Sequence, residues 1–290
     1  MPYLYLIGSV IFASSESILG TYYNRKNEGR KDSPPLYSFL CMCSVFVFWI
    51  IMFCKELTLD WNVVWYALLF AFFYTLCNVC MIYALKIGPM ALTSLFVQLA
   101  LVGTTIWGFF FWEAKVTWLV AFGLAMVVLS IWLCLYQGKN AEGGKTISLK
   151  WLIYAVLACV GNAGCSITQR SQQIKFDGQY GNFLMMIATA VSVVICLSAY
   201  IKSDRKDTIT ILKDSWYVPV GAGVLNGVLN LLVILLATST LSPTLIYPVI
   251  GVGSLMLAML VSAMVFKEKM HWWQWLGVAV GTIAVALLSM

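Results

Sequence analysis

The sequence predicts an all-α integral membrane protein, with ten transmembrane helices arranged as two inverted five-helix repeats. Three observations point there. Of 290 residues, 61% are hydrophobic and only 10% charged, and the mean hydropathy is +0.88, whereas a soluble domain is about half apolar and about a quarter charged. Ten apolar stretches approach or exceed the roughly 20 residues that a helix needs to cross hydrocarbon. Laid on itself 146 residues later, the chain matches in order as well as in composition, so that Glu16 falls on Asn162.

The ten stretches are residues 2–23, 34–54, 61–84, 89–112, 116–136, 149–170, 179–201, 215–238, 243–266 and 271–289. Their connectors are too short for a second domain, so the chain divides into copies 1–140 and 149–290 and any function is housed among helices. The first stretch lacks a basic leader and an A-x-A-like cleavage site, which predicts a permanent helix. It also carries Glu16, the one acidic or basic side chain well inside an apolar segment. A carboxyl group there costs about 3 kcal/mol even on the lenient insertion scale, so it is usually turned toward protein or a water-filled path. Ser9, Ala13, Glu16 and Gly20 form one helical stripe, matched in the sixth stretch by Ala155, Cys159, Asn162 and Ser166. Such a stripe reads either as a cavity wall or as a small-residue packing seam with one polar residue bonded across it.

Nine cysteines lie within or at the ends of apolar segments and read as small buried hydrophobes. Cys77 and Cys80 share one side of the third helix, but no second pair or histidine accompanies them, so no metal or other cofactor is expected. The lone histidine, His271, stands beside Trp272 and Trp273 and reads as interfacial. A net charge of +6 suits lipid headgroups better than nucleic acid. Trp61, Trp65, Trp112, Trp118, Trp151, Trp216, Trp272, Trp273 and Trp275 fall near span ends, as an aromatic belt requires. Tyr74, Trp107 and Tyr247 lie deeper and are candidates for lining a cavity.

Further matches define the duplication. Leu6-Ile7 repeats as Leu152-Ile153, Asn78 as Asn230, and Pro89 as Pro243, each proline opening a helix. Phe111-x-Glu113 recurs as Phe266-x-Glu268, each followed by Trp118 or Trp273 and a glycine. Glu113 and Glu268 are expected to cap the helix that follows each, where a carboxylate is favoured by about 0.3–1 kcal/mol. Lys86 and Arg170 are expected to snorkel toward headgroups. Five spans per copy is an odd number, so the second copy enters from the opposite side, the inverted arrangement that places a transporter's site where its repeats meet.

On these residues, with the Ala84-Leu85-Lys86-Ile87-Gly88-Pro89 run into the fourth span, the whole chain resembles the drug/metabolite transporter (DMT) superfamily, specifically its ten-helix EamA-like branch. The first segment with Glu16 is also similar to the opening helix of small multidrug resistance proteins, in which a membrane glutamate binds protons or an organic cation. The resemblance implies a secondary active transporter of a small metabolite or drug-like solute, cations included, that alternates between two inverted repeats.

No Walker motif is present, and catalysis has neither paired membrane carboxylates nor a membrane histidine to use. The expected solute-binding residues are Glu16, Tyr74, Asn78, Gln98, Trp107, Asn162, Asn226, Asn230 and Tyr247. Glu16 is also the expected proton-coupling residue, because a carboxyl group in low dielectric resists ionisation, and the aromatics offer cation–π faces. Tyr247-Pro248 breaks a backbone bond inside the ninth span. The alternative reading is a non-transporting membrane scaffold or a lipid-handling protein. The expected partners are the small-molecule substrate, protons and membrane lipids, and the short tails favour a prokaryotic plasma (inner) membrane.

Orientation divides the two lines of reading. The odd-numbered connectors and their flanks hold 14 basic residues and the other side 4, so the positive-inside rule places both termini outside the cytoplasm, while the resemblance implies both inside. On the charge count, a C-terminal reporter active only in the cytoplasm should stay dark; a bright signal would reverse the assignment.

Overall fold

The computed structural model describes residues 2–111, 118–135, 148–237, 243–268 and 272–288. Helix occupies each of the ten expected spans, in the order α1 (Pro2–Lys26), α2 (Ser33–Lys55), α3 (Val63–Ile87), α4 (Met90–Gln98) with α5 (Ala100–Phe111), α6 (Trp118–Leu135), α7 (Leu149–Lys175), α8 (Gly181–Ile201), α9 (Thr208–Ser215), α10 (Tyr217–Ala237), α11 (Pro243–Met264) and α12 (Trp272–Leu288). By length and composition α1, α2, α3, α7, α8 and α10 can each cross a membrane, and α6, α11 and α12 hold shorter apolar stretches. The outside is apolar, with Phe72, Phe110, Val128 and Val194 between 58% and 78% exposed. On α1 the buried side chains include Ser9, Ser14, Ser17, Thr21 and Asn24, the inverse of a soluble helix.

That inversion follows from the solvent. Lipid tails are as apolar as leucine, so helices associate through close approach and polar bonds rather than through hydrophobic burial. Gly161 and Gly164 of α7 press on Phe73 and Cys77 of α3, while Gly223 and Gly227 of α10 press on Cys41, Ser44 and Phe48 of α2. Polar bonds repeat with the same symmetry: the Ser44 hydroxyl of α2 donates to the Val220 carbonyl of α10 at 2.9 Å, and the Ser192 hydroxyl of α8 to the Ala71 carbonyl of α3 at 3.5 Å.

The packing directions display the inversion. Along α3 and α7 the contacts run from Gly88 with Trp151 to Phe73 with Gly164, so these helices are antiparallel. Since α1 and α3 run the same way in an alternating chain, α7, which opens the second copy, runs opposite to α1. Each copy's first helix lies along the other copy's fourth span in the same direction: Leu6 clusters with Ile250 and Arg25 reaches Phe266, while Trp151 reaches Thr93 and Ala163 faces Gly103. The face at which α1 and α3 end is the one rich in basic connectors, called the basic face below.

Several local expectations are corrected. The fourth span is two helices, because the chain tightens at Leu99, whose N–H is shared by the Leu95 and Val97 carbonyls. The short α9 is an added element, seated where Asp32 Oδ2 accepts from the Asp207 N–H at 3.1 Å and the Thr208 hydroxyl at 3.2 Å. Trp151 is fully buried rather than interfacial, because its indole N–H finds the Thr93 hydroxyl at 2.9 Å and needs no headgroup. Trp61, Trp65, Trp118, Trp216 and Trp272 are exposed, as a belt requires. Lys86 turns into the α1–α2 connector, donating to the Arg30 carbonyl at 2.5 Å and the Ser33 hydroxyl at 3.2 Å. Glu268 caps α4 of the other copy, accepting the Met90 N–H at 2.8 Å. Glu113 and His271 lie outside the described residues.

A Cβ at Gly161 would come within 2.6 Å of Cys77 N and 2.8 Å of Phe73 O, which are backbone atoms, whereas one at Gly221 would meet nothing. Gly161→Ala should therefore destabilise the fold by about 1–3 kcal/mol, seen as a lower melting temperature in detergent, and Gly221→Ala should not. Equal melting of Gly161→Ala and the parent would contradict the α3–α7 packing.

Candidate solute and proton site

Glu16 lies at the middle of α1, facing α3 and α10. Its Oε1 accepts a hydrogen bond from the Asn226 side-chain amide of α10. The orientation of that amide is set by its neighbours. Asn230 Nδ2 donates to the Asn226 backbone carbonyl at 2.9 Å, an atom that can only accept, which fixes which end of the Asn230 amide points there. The same NH2 reaches Asn226 Oδ1 at 3.1 Å, and the Tyr74 hydroxyl of α3 donates to that oxygen at 2.5 Å. With Oδ1 doubly occupied, the Asn226 N–H is left to face Glu16.

The repeat is visible inside this network. Asn78 Nδ2 donates to the Tyr74 carbonyl at 2.9 Å, as Asn230 donates to the Asn226 carbonyl. Tyr74 and Asn226 are therefore counterparts four residues before matched asparagines, and they bond to each other where the two copies meet. Both are buried, at 6% and 5% exposure.

Glu16 also lines a cavity with Tyr37, Cys41, Asn78, Met81, Ile82 and Leu85, with room for about one water molecule. Sequence reasoning missed Tyr37, Cys41 and the α3 aliphatics, since nothing distinguishes them from ordinary buried apolar residues. Beside Glu16, Ser17 accepts from the Ser94 hydroxyl of α4 at 2.8 Å, a polar neighbour outside the stripe of Ser9, Ala13, Glu16 and Gly20. Titratable groups around Glu16 come from α2 (Tyr37, Cys41), α3 (Tyr74, Cys77) and α7 (Cys165). Tyrosine and cysteine are ordinarily neutral near pH 7, which leaves Glu16 the carboxyl group of this set.

The other expected site residues are dispersed. Asn162 does not meet the cavity; its amide donates to the Val97 carbonyl at 3.0 Å, next to the break between α4 and α5. Gln98 donates to the Ser254 hydroxyl of α11 at 3.0 Å. Trp107 is not brought to the group: it is 37% exposed on α5 and stacks on Phe111 at 4.0 Å, because the tightened turn at Leu99 precedes it and its ring finds a partner on its own helix. The Tyr247 side chain lies outside the described residues. Among the described residues no cluster of His, Cys, Asp and Glu could hold a metal ion.

Residues 1–136 and again 149–290 match the EamA-like transporter family, one match for each half of the chain. Among curated proteins none matches. A solved structure named "Crystal structure of protein" is similar with a TM-score of 0.60 at 12% identity, over 99% of this chain and 95% of that one, a likeness of fold. With two family matches that together take in nearly all its residues, and an all-helical fold of two apolar repeats, the chain belongs to the EamA-like transporter family.

Proposed function

We propose that the protein is a secondary active transporter of a small metabolite or drug-like solute, cations included, in which Glu16 exchanges a proton for the solute as halves 1–140 and 149–290 rock about the site. The observation that carries this reading is the placing of Glu16: a carboxyl group near the middle of the apolar helix α1, held by an oriented Asn226 amide and bordering a cavity. Intramembrane acids in such surroundings mark solute and proton paths. A packing role alone would not require a cavity at the carboxyl group.

The cavity around Glu16 is far smaller than the roughly 300–1,000 Å3 of a typical ligand site, so a solute enters only when the halves part. A proton or a water needs no such widening. The lipid partners are those that basic connectors and exposed tryptophans suit.

A thermal-shift screen identifies the solute, because a ligand that binds only the folded form raises apparent stability by mass action. In proteoliposomes, Glu16→Gln keeps size and hydrogen bonding but cannot release a proton, so it should fold normally and lose pH-dependent uptake. Unchanged pH dependence in that variant would reduce Glu16 to a buried bonding group. Asn162→Ala, which removes the bond to the Val97 carbonyl away from the cavity, should lower the melting temperature and leave the pH dependence in place. Tyr74→Phe removes one of the two bonds holding Asn226 Oδ1 and should cost about 1 kcal/mol of stability, read from thermal unfolding; no change in melting would mean that the Tyr74–Asn226 bond is not formed in the membrane.

A further inference from the structure

Three side-chain oxygens on residues that line the Glu16 cavity have no protein partner among the described residues. The first is Glu16 Oε2, left over because the Asn226 amide takes Oε1. The second is Asn78 Oδ1: the amide N–H of Asn78 goes to the Tyr74 carbonyl at 2.9 Å, an atom that can only accept, which fixes the amide and leaves its oxygen unbonded. The third is the hydroxyl of Tyr37, a residue only 7% exposed. That hydroxyl reaches α1 one turn beyond Glu16, since a methyl group at Gly20 would stand 3.9 Å from it, and 3.2 Å and 2.9 Å from Ile82 and Leu85 of the cavity wall.

Their chemistry decides what fits among them. Ionised Glu16 and Asn78 Oδ1 can only accept, and the Tyr37 hydroxyl accepts as well as donates. A space for about one water, bordered by three acceptors of which one is charged, matches an NH3+ group, which is close to water in size and carries three N–H donors. A quaternary ammonium head is larger, has no N–H and is held by a cage of aromatic faces, whereas Tyr37 is the one aromatic residue in this lining. No lining residue is basic, so a solute carboxylate would lose its water without gaining a partner. From Asn78 the lining continues along α3 through Met81 and Ile82 to Leu85, toward the basic face. That wall is apolar and can lie against an alkyl chain.

We infer that the Glu16 cavity is the seat of a primary ammonium group, so that the solute is an alkylamine of single positive charge rather than a quaternary ammonium ion or an amino acid. This rests on the transporter reading above, whose solute it names. With Oε1 held by Asn226, a proton and an ammonium N–H compete for Oε2, so one leaves as the other arrives. The seat itself belongs to α1, α2 and α3 of the first copy; the second copy contributes the amide that leaves Oε2 open.

Equilibrium binding to the purified full chain in detergent tests this with n-alkylammonium ions from butyl to hexyl, the matching alkyltrimethylammonium ions and the ω-amino acids of equal chain length. At each length the primary ammonium ion should bind at least about tenfold more tightly than either relative. Tyr37→Phe and Asn78→Ala each remove one acceptor, so each should weaken the primary ion about tenfold and leave the trimethyl ion unchanged, a split that a general loosening of the cavity would not produce. Should Asn78→Ala fail to fold, Tyr37→Phe answers alone, because it keeps the ring and breaks no bond within the protein. Equal or tighter binding of the trimethyl ion or the ω-amino acid would overturn the assignment. So would no binding of any alkylammonium ion to the folded protein, or a folded Tyr37→Phe that weakens both ions alike or neither. Binding at equilibrium reads neither transport nor its pH dependence, so a failure of Glu16→Gln to alter that dependence would strike the coupling and leave this result standing.

Discussion

A carboxyl group in hydrocarbon has no water to turn to, and the arrangement around Glu16 meets that constraint with an oriented amide. The orientation is inherited through the chain of bonds from the Asn226 backbone carbonyl to Asn230, then to Asn226 Oδ1, and finally to the N–H that faces Glu16. Because Tyr74 closes the same oxygen from the other repeat, the state of Glu16 is tied to the contact between halves.

The two copies use their matched positions differently. Glu16 meets the side chain of a neighbouring helix at a cavity, while Asn162 meets a main-chain carbonyl beside the break between α4 and α5. One position can therefore hold a proton, and the other stabilises an irregular turn that hydrocarbon would otherwise penalise. The near-two-fold architecture thus carries a chemically one-sided site.

The spans were legible because hydropathy and length are direct consequences of the bilayer. The duplication was legible because matched asparagines and prolines survive in both copies, and it brought Asn78 and Asn230 forward as candidates. What escaped were features decided by partners distant in sequence. Trp151 sits at a span end yet is buried, since its indole meets Thr93, 58 residues away. Trp107 is deep along the sequence yet faces outward, and depth alone carries no azimuth. Leu99 breaks a helix without proline or glycine, and Glu268 caps a helix of the other copy rather than the next one in the chain.

That last contact bears on how the protein is made. The amide of Met90 waits for a carboxylate 178 residues further along, and Arg25 for a carbonyl 241 residues away. Helices inserted one after another as the chain emerges therefore cannot complete the first repeat by themselves; its fourth span stays without its cap until residue 268 has been synthesised. Assembly is thus a late, collective event among helices already in the bilayer, and a ribosome stalled after the first repeat would leave a set of spans without the partner that finishes them.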